Sequence, residues 1–263
     1  FQAEDGIRDC LLSRGLGDVY KRQAWQKPMA VLVNRYSASA SEIVAGAIQD
    51  YQRGIVLGQR TFGKGTVQSL ESISKGQVKI TESKYYRIDG SSTQNKGVLP
   101  DIELLSTWDI ETVGESSYPT ALEWDTVRPY RHKKFDFDAD KVFEIKNLYS
   151  QRLTTSPNLK YLGEVRDRYY LNKDKKLLSL NLETRKYEKE ARKDWLLQIE
   201  NKRRKGLGLE IFSTYEDLDE NNKKNENTNN DIDFKRDYLL IESTNIINDY
   251  LNLDNKLLAS KVG

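Results

Sequence analysis

Two hydropathy patterns divide the chain, and they change over near residue 108. Ahead of that point, short apolar runs predict strands. Pro28-Met-Ala-Val-Leu-Val33 is continuously apolar after a proline, as in a strand buried on both faces of an α/β sheet. Gly54-Ile-Val-Leu-Gly58 predicts a second such strand. Between them, residues 38–51 carry helical spacing, with Ile43, Ala47 and Ile48 on one stripe and alanines that permit close packing. Residues 66–70 and 77–87 alternate β-branched or aromatic with polar positions about Ser74-Lys-Gly76, which predicts an antiparallel pair. Asp89-Gly90 closes a turn, and residues 95–105 leave in extended form through Gly97-Val-Leu-Pro-Asp-Ile102.

Beyond residue 108 the spacing becomes helical between charges. Residues 140–155, 159–170 and 182–204 each predict a helix, the last being the most regular, through Tyr187, Ala191, Trp195, Leu196 and Ile199. Residues 219–233 form an Asn/Asp/Glu/Lys tract with no apolar anchor, which predicts a disordered loop. An amphipathic helix returns over 237–258 through Leu240, Ile241, Ile246, Ile247, Tyr250 and Leu251. The fold class expected is α/β, followed by a mostly α-helical C-terminal domain. Residues 1–23 fit neither pattern. They have no sustained period, and they resemble translated sequencing-adapter read-through, so they are set aside as foreign to the fold.

Composition narrows the function. Lys+Arg 42 stands against Asp+Glu 40, so the basic footprint of a nucleic-acid binder is absent and no nucleic-acid partner is expected. No apolar run approaches the ~20 residues that span a bilayer. The single cysteine, Cys10, excludes an internal disulfide or a cysteine metal cluster. The only histidine, His132, sits in Arg-His-Lys-Lys and reads as a solvated loop residue, although any Ser-His-Asp triad would need it. Asp136, Asp138 and Asp140 alternate as in a calcium loop, but the glycine and glutamate of an EF-hand are missing, so neither metal nor cofactor is expected.

The chemistry concentrates in two blocks. Tyr36-Ser-Ala-Ser-Ala-Ser-Glu-Ile43 sets three serines at the mouth of a helix, where backbone N–H groups can stabilise an oxyanion. An N-cap is the commoner role for a serine there, and on local pattern both readings stay open. Thr61-Phe-Gly-Lys-Gly-Thr-Val-Gln68 sets one lysine between two glycines directly after a buried strand. A lysine acts as a base only when neutral, so its reference pKa of about 10.4 must fall by roughly three units. Burial among Phe62, Gly63, Gly65 and Val67 would have that effect.

These blocks resemble the two signatures of the tail-specific, or C-terminal processing, peptidases. That family carries a Ser-Lys dyad on a core related to the crotonase and Clp peptidase folds. The resemblance implies Ser39 as nucleophile, Lys64 as base, Gln68 as the residue that orients the lysine, the Ala40 N–H as one oxyanion donor and Asp50 in a supporting role. Ser37 and Ser41 are left as turn and cap. Gly97-Val-Leu-Pro-Asp-Ile102 matches the family's exit segment. The match is specific over about residues 28–105. The implied division is 24–107 as the C-terminal part of the peptidase core and 108–263 as a helical extension. A PDZ domain and a glycine-rich strand with the second oxyanion donor would precede residue 24, so the chain reads as an N-terminally truncated piece. The resemblance further implies protein C-terminal tails as substrate, a periplasmic or cell-envelope location, an adaptor lipoprotein as a candidate partner, and room for peripheral membrane association. Two alternatives remain. One is an inert fragment that serves as a helical binding module. The other is a crotonase-like acyl-thioester binder in which Ser39 and Lys64 are dispensable.

Overall fold

The computed structural model describes Trp25 and residues 27–106, 112–135, 139–227 and 237–262. The adapter-like segment, Cys10, Trp108, Asp136 and Asp138 lie outside them. The N-terminal half holds a three-stranded parallel sheet of order β1-β2-β5, made of β1 (Ala30–Val33), β2 (Ile55–Gly58) and β5 (Ile102–Glu103). Ala30 pairs with Ile55 and Leu57 with Ile102. Helix α1 (Ala40–Asp50) connects β1 to β2. A separate antiparallel ribbon, β3 (Thr66–Ile73) and β4 (Gly76–Lys84), turns at Ser74-Lys75 as its alternation predicts.

All four residues of β2 are buried, and successive side chains serve opposite faces. Val56 joins Val33, Ala45 and Val98 on the α1 side. Ile55 and Leu57 join Ile102 and Leu104 on the other side, against Ile145, Tyr149, Leu159 and Ile246. Those last four come from α2 (Ala139–Thr155), α3 (Pro157–Lys173) and α6 (Tyr238–Val262). The helices beyond residue 108 therefore form one wall of the sheet's core. The exit segment locks the other wall, because Asp101 Oδ2 accepts from the Val56 N–H at 2.7 Å and Oδ1 accepts from Gln49 Nε2 of α1 at 3.0 Å.

Two expectations are corrected. Of the stripe expected on α1, Ile48 packs against the cluster of Val33, Ala45, Val56 and Val98, but Ile43 is not on the buried face. Ile43 is exposed, and Glu42, Ala45, Gly46 and Asp50 are buried. Hydropathy fails there because the oxygens of both acids are satisfied by specific partners, described below. The tract expected to be disordered over 219–233 is helical as far as Asn227, within α5 (Tyr215–Asn227), and 228–236 lie outside the described residues. Its anchor, the buried Leu218, stands just ahead of the polar run. Ion pairs from Lys223 to Asp219 and from Lys224 to Glu220, each one helical turn apart, support the exposed face. The remaining helix, α4 (Leu182–Gly206), starts at an Asn181 cap that accepts from the Thr184 N–H.

Candidate active site

The turn after β1 is built by its polar side chains. Ser37 N–H donates to the Asn34 carbonyl at 2.9 Å, and Ser37 Oγ accepts from Asn34 N–H at 3.1 Å, so Ser37 is the turn serine. Ser39 occupies the N-cap of α1 with φ 55° and ψ −113°. This pair of angles belongs to the first central position of a type II′ turn, which glycine normally fills. A serine held there is under local backbone strain of order 1–3 kcal/mol, the kind that clusters at functional sites. The cap expected at Ser41 thus falls at Ser39, and Ser41 is an exposed residue of the first turn. Ser41 N–H bonds the Ala38 carbonyl, while Glu42 and Ile43 N–H both bond the Ser39 carbonyl. The exposed Ala40 N–H has no acceptor among the described residues and stays available at the helix mouth.

Glu42 joins the two sequence blocks. It is fully buried and accepts four hydrogen bonds. Oε2 takes the N–H of Ser39 at 2.9 Å and the N–H of Lys64 at 2.8 Å. Oε1 takes the N–H of Gly63 at 2.6 Å and the Thr61 hydroxyl at 2.5 Å. The Ser39 and Lys64 backbone nitrogens are therefore no further apart than the sum of their two distances to one oxygen atom. Two cations, the buried Arg35 and the half-buried Arg60, stand near this carboxylate. Burial lowers the pKa of each, Arg60 repulsion lowers Arg35 further, and Glu42 works in the opposite direction on both. Sequence reasoning missed this glutamate; the signal that could have found it is its place three residues after Ser39, the spacing of a capping box. Its reach to residues 61–64 has no such signal.

Lys64 is half-buried, and its two glycines are explained by what lies against them. A Cβ on Gly63, at φ 91°, would fall 2.8 Å from the Asn95 carbonyl oxygen, and one on Gly65 would fall 2.6 Å from the Gln94 nitrogen. Gly65 N–H donates to the side chain of the fully buried Gln94 at 2.9 Å, and Asn95 N–H donates to the Gly63 carbonyl at 2.8 Å. A further strap covers this loop. Arg35 donates to the Thr61 and Val113 carbonyls, Glu115 N–H bonds the Phe62 carbonyl, and Glu115 accepts from Gln94 Nε2. Arg35, Thr61, Gln94 and Glu115 are site-shaping residues that sequence reasoning did not identify. A buried arginine after β1 and a buried glutamine in a loop carry no periodic signal.

Asp50 is eleven residues beyond Ser39, about 16 Å along α1 and so remote from the Ser39 hydroxyl. It is buried and holds Arg87 through both oxygens, at 2.5 and 3.2 Å. Burial opposes the Arg87 charge, but its bonds to Asp50 outweigh this and raise its pKa. The Asp50 carbonyl accepts from His132 Nε2 at 2.8 Å, and the imidazole stands edge-on to Tyr51 at 5.2 Å. His132 is thus a half-buried closure of the helix C-terminus rather than a solvated loop residue. Gln68 lies on the exposed part of β3, immediately after a bulge at Val67/Gln68, with Nε2 donating to Thr81 Oγ1 at 3.3 Å. Among the described residues no hydrogen bond joins Gln68 to Lys64.

Comparison with known families assigns the chain as a whole. The peptidase family S41 model matches residues 5–104, and the C-terminal domain of tail specific protease matches residues 108–252. The chain belongs to the tail-specific proteases. It is 35% identical over 208 residues to the tail-specific protease of Haemophilus influenzae, covering 74% of this chain and 30% of that protein. It is 43% identical over 99 residues to the carboxy-terminal-processing protease of Bartonella bacilliformis, covering 35% of this chain and 23% of that one. A solved photosystem II D1 C-terminal processing protease aligns at 46% identity over 30% of this chain and 20% of its own, with a TM-score of 0.29. The chain spans less than a third of the length of either named relative. In this tail-specific protease chain, the S41 match ends at β5 and the C-terminal domain match takes up the helices that wall the sheet.

Proposed function

We propose that this chain carries the nucleophile and base of a serine peptidase that cleaves proteins near their C-terminal tails. The observation that carries the proposal is the single Glu42 oxygen that receives both the Ser39 and the Lys64 backbone N–H. It supports a nucleophile and a base brought together from separate segments. The family assignment favours acyl transfer to water over acyl-thioester binding.

In the reaction, Lys64 takes the proton of the Ser39 hydroxyl as Oγ attacks the scissile carbonyl carbon. The oxygen of the tetrahedral intermediate receives the Ala40 N–H, a donor fixed before the reaction begins. The C–N bond then breaks, and the amine leaves with the proton from Lys64. Water attacks the ester carbon, giving its proton to Lys64 and releasing the acid as Oγ regains a proton. Gln68 would orient the lysine amine only by exchanging its bond to Thr81 Oγ1 for one to Lys64, a move that the bulge beside it would assist. Tails of cell-envelope proteins as substrate, and an envelope location, belong to the same reading. No helix among the described residues is long and apolar enough to cross a membrane.

The test is cleavage of a tailed substrate by the full-length parent carrying Ser39→Ala or Lys64→Ala. Each change should abolish turnover, and survival of cleavage in both would refute the dyad. Separately, a fluorophosphonate should label this chain at Ser39 and lose that labelling in Lys64→Ala.

A further inference from the structure

We propose that the groove between α3 and α4 docks an acidic amphipathic helix of a partner protein. The groove encloses about 1060 Å³ and runs along the helical hairpin, remote in sequence from Ser39 and Lys64, neither of which lines it. Val165, Trp195 and Leu196 supply apolar lining, and the connecting loop adds Leu177 and Leu178, which are 91% and 70% exposed. Contiguous exposed apolar surface rimmed by polar residues marks contact sites. The rim here is strongly biased in sign. Seven lysines and arginines line the groove against one acid, Glu188. Arg185 and Lys186 pair with Glu188 and Glu183, and Arg168 lies over the Trp195 ring at 4.3 Å. Lys175, Lys189 and Arg192 have no acidic partner among the described residues.

Shape selects the class of occupant. The lining on α4 runs from Leu182 to Leu196, about 21 Å at 1.5 Å per residue, the length of a helix of roughly 15 residues. Such a helix would lay apolar anchors at i, i+3/i+4 and i+7 on the floor and present carboxylates to both rims. A bilayer is flat and would engage a projecting surface, whereas this one is concave.

The test uses the whole chain and a hydrocarbon-stapled, fluorescein-labelled peptide of about 15 residues, with leucines at those positions and glutamates flanking them. Saturable binding by anisotropy is expected, weakening with salt. Lys189→Glu with Arg192→Glu should lower affinity at least about tenfold, and so should Leu178→Ser. All three positions are exposed, so the far-UV spectrum and melting of these variants should match the parent. Unchanged affinity in the variants would overturn the proposal, as would equal binding of a scrambled peptide of the same charge. Sedimentation with phosphatidylglycerol vesicles in the absence of peptide binding, lost in Leu178→Ser, would assign the surface to lipid. A Leu178-dependent dimer in ultracentrifugation would assign it to a second copy. Failure of a longer parent protein to bind the peptide that this chain binds would assign the groove to an intramolecular contact. Each of these three results also overturns it.

Discussion

At the residue scale, the site depends on a buried carboxylate with no part in bond making. Glu42 satisfies three backbone N–H groups and one hydroxyl from both halves of the site. Glu42→Ala leaves them without an acceptor in the interior, where each unsatisfied group costs about 1–3 kcal/mol. Glu42→Gln is the sharper experiment, because it keeps the shape and turns one acceptor end into a donor that faces donors. Its effect is expected in kcat, at about 100-fold, with little change in KM, since a displacement near 1 Å between reacting groups costs that much. Steady-state kinetics of the parent enzyme on one tailed peptide would show it, and an effect on KM alone would remove Glu42 from the dyad's support. Its spacing from Ser39 is that of a capping box, but with the cap expected at Ser41 that signal went unread, and its second attachment has no local signal at all. Local spacing reports contacts within one turn of helix, whereas the bonds to Thr61, Gly63 and Lys64 cross some twenty positions of chain.

At the element scale, α1 is held at both ends, by Glu42 and by the Asp50–Arg87 pair. Side-chain exposure is 5% for Asp50 and 14% for Arg87, so removing one partner strands a buried charge. Asp50→Ala should cost about 3–5 kcal/mol, and Asp50→Leu with Arg87→Met should recover most of the loss. Urea denaturation of the two variants decides this, and equal losses in both would mean that the pair adds stability as an ion pair. Asp101→Ala should cost about 1–3 kcal/mol, because the Val56 N–H in the central strand would lose its acceptor. The strands and most helices could be read from hydropathy because their burial follows the period of the element. The buried face of α1 could not, because Glu42 and Asp50 are charged residues whose partners come from distant segments. The helix over 215–227 was missed for a related reason. One leucine and a set of charge pairs support it, and a window lacking Leu218 contains only polar residues.

At the scale of the whole molecule, the boundary near residue 108 separates two sequence patterns and does not separate two cores. Ile246, near the other end of the chain, is fully buried against residues of β2 and β5. Ile246→Ala should cost about 2–5 kcal/mol and lower the melting of the entire chain in one transition. Far-UV dichroism and tryptophan fluorescence would then move together. Separate transitions would mean that the helices fold apart from the sheet. The same core predicts a pH limit. Burial pushes Tyr149 up to about 12 from 10.0, with Glu242 also raising it and the Leu105 backbone opposing. A raised folded pKa favours the neutral phenol in the native state. This contribution is complete below pH 10 and is lost as pH climbs toward 12, while Tyr149→Phe should flatten that part of the stability–pH curve.

The backbone at Ser39 has a consequence for evolution as much as for chemistry. Its φ of 55° lies in the region that glycine adopts most readily. Ser39→Gly should therefore melt higher than the active protein, since glycine adopts that torsion without steric conflict. Thermal unfolding of Ser39→Gly beside Ser39→Ala, which retains the Cβ, isolates the torsional contribution. A lineage free of selection for cleavage would gain stability by a single codon change at this position. On the proposed mechanism, a serine kept there would be held by selection for the reaction.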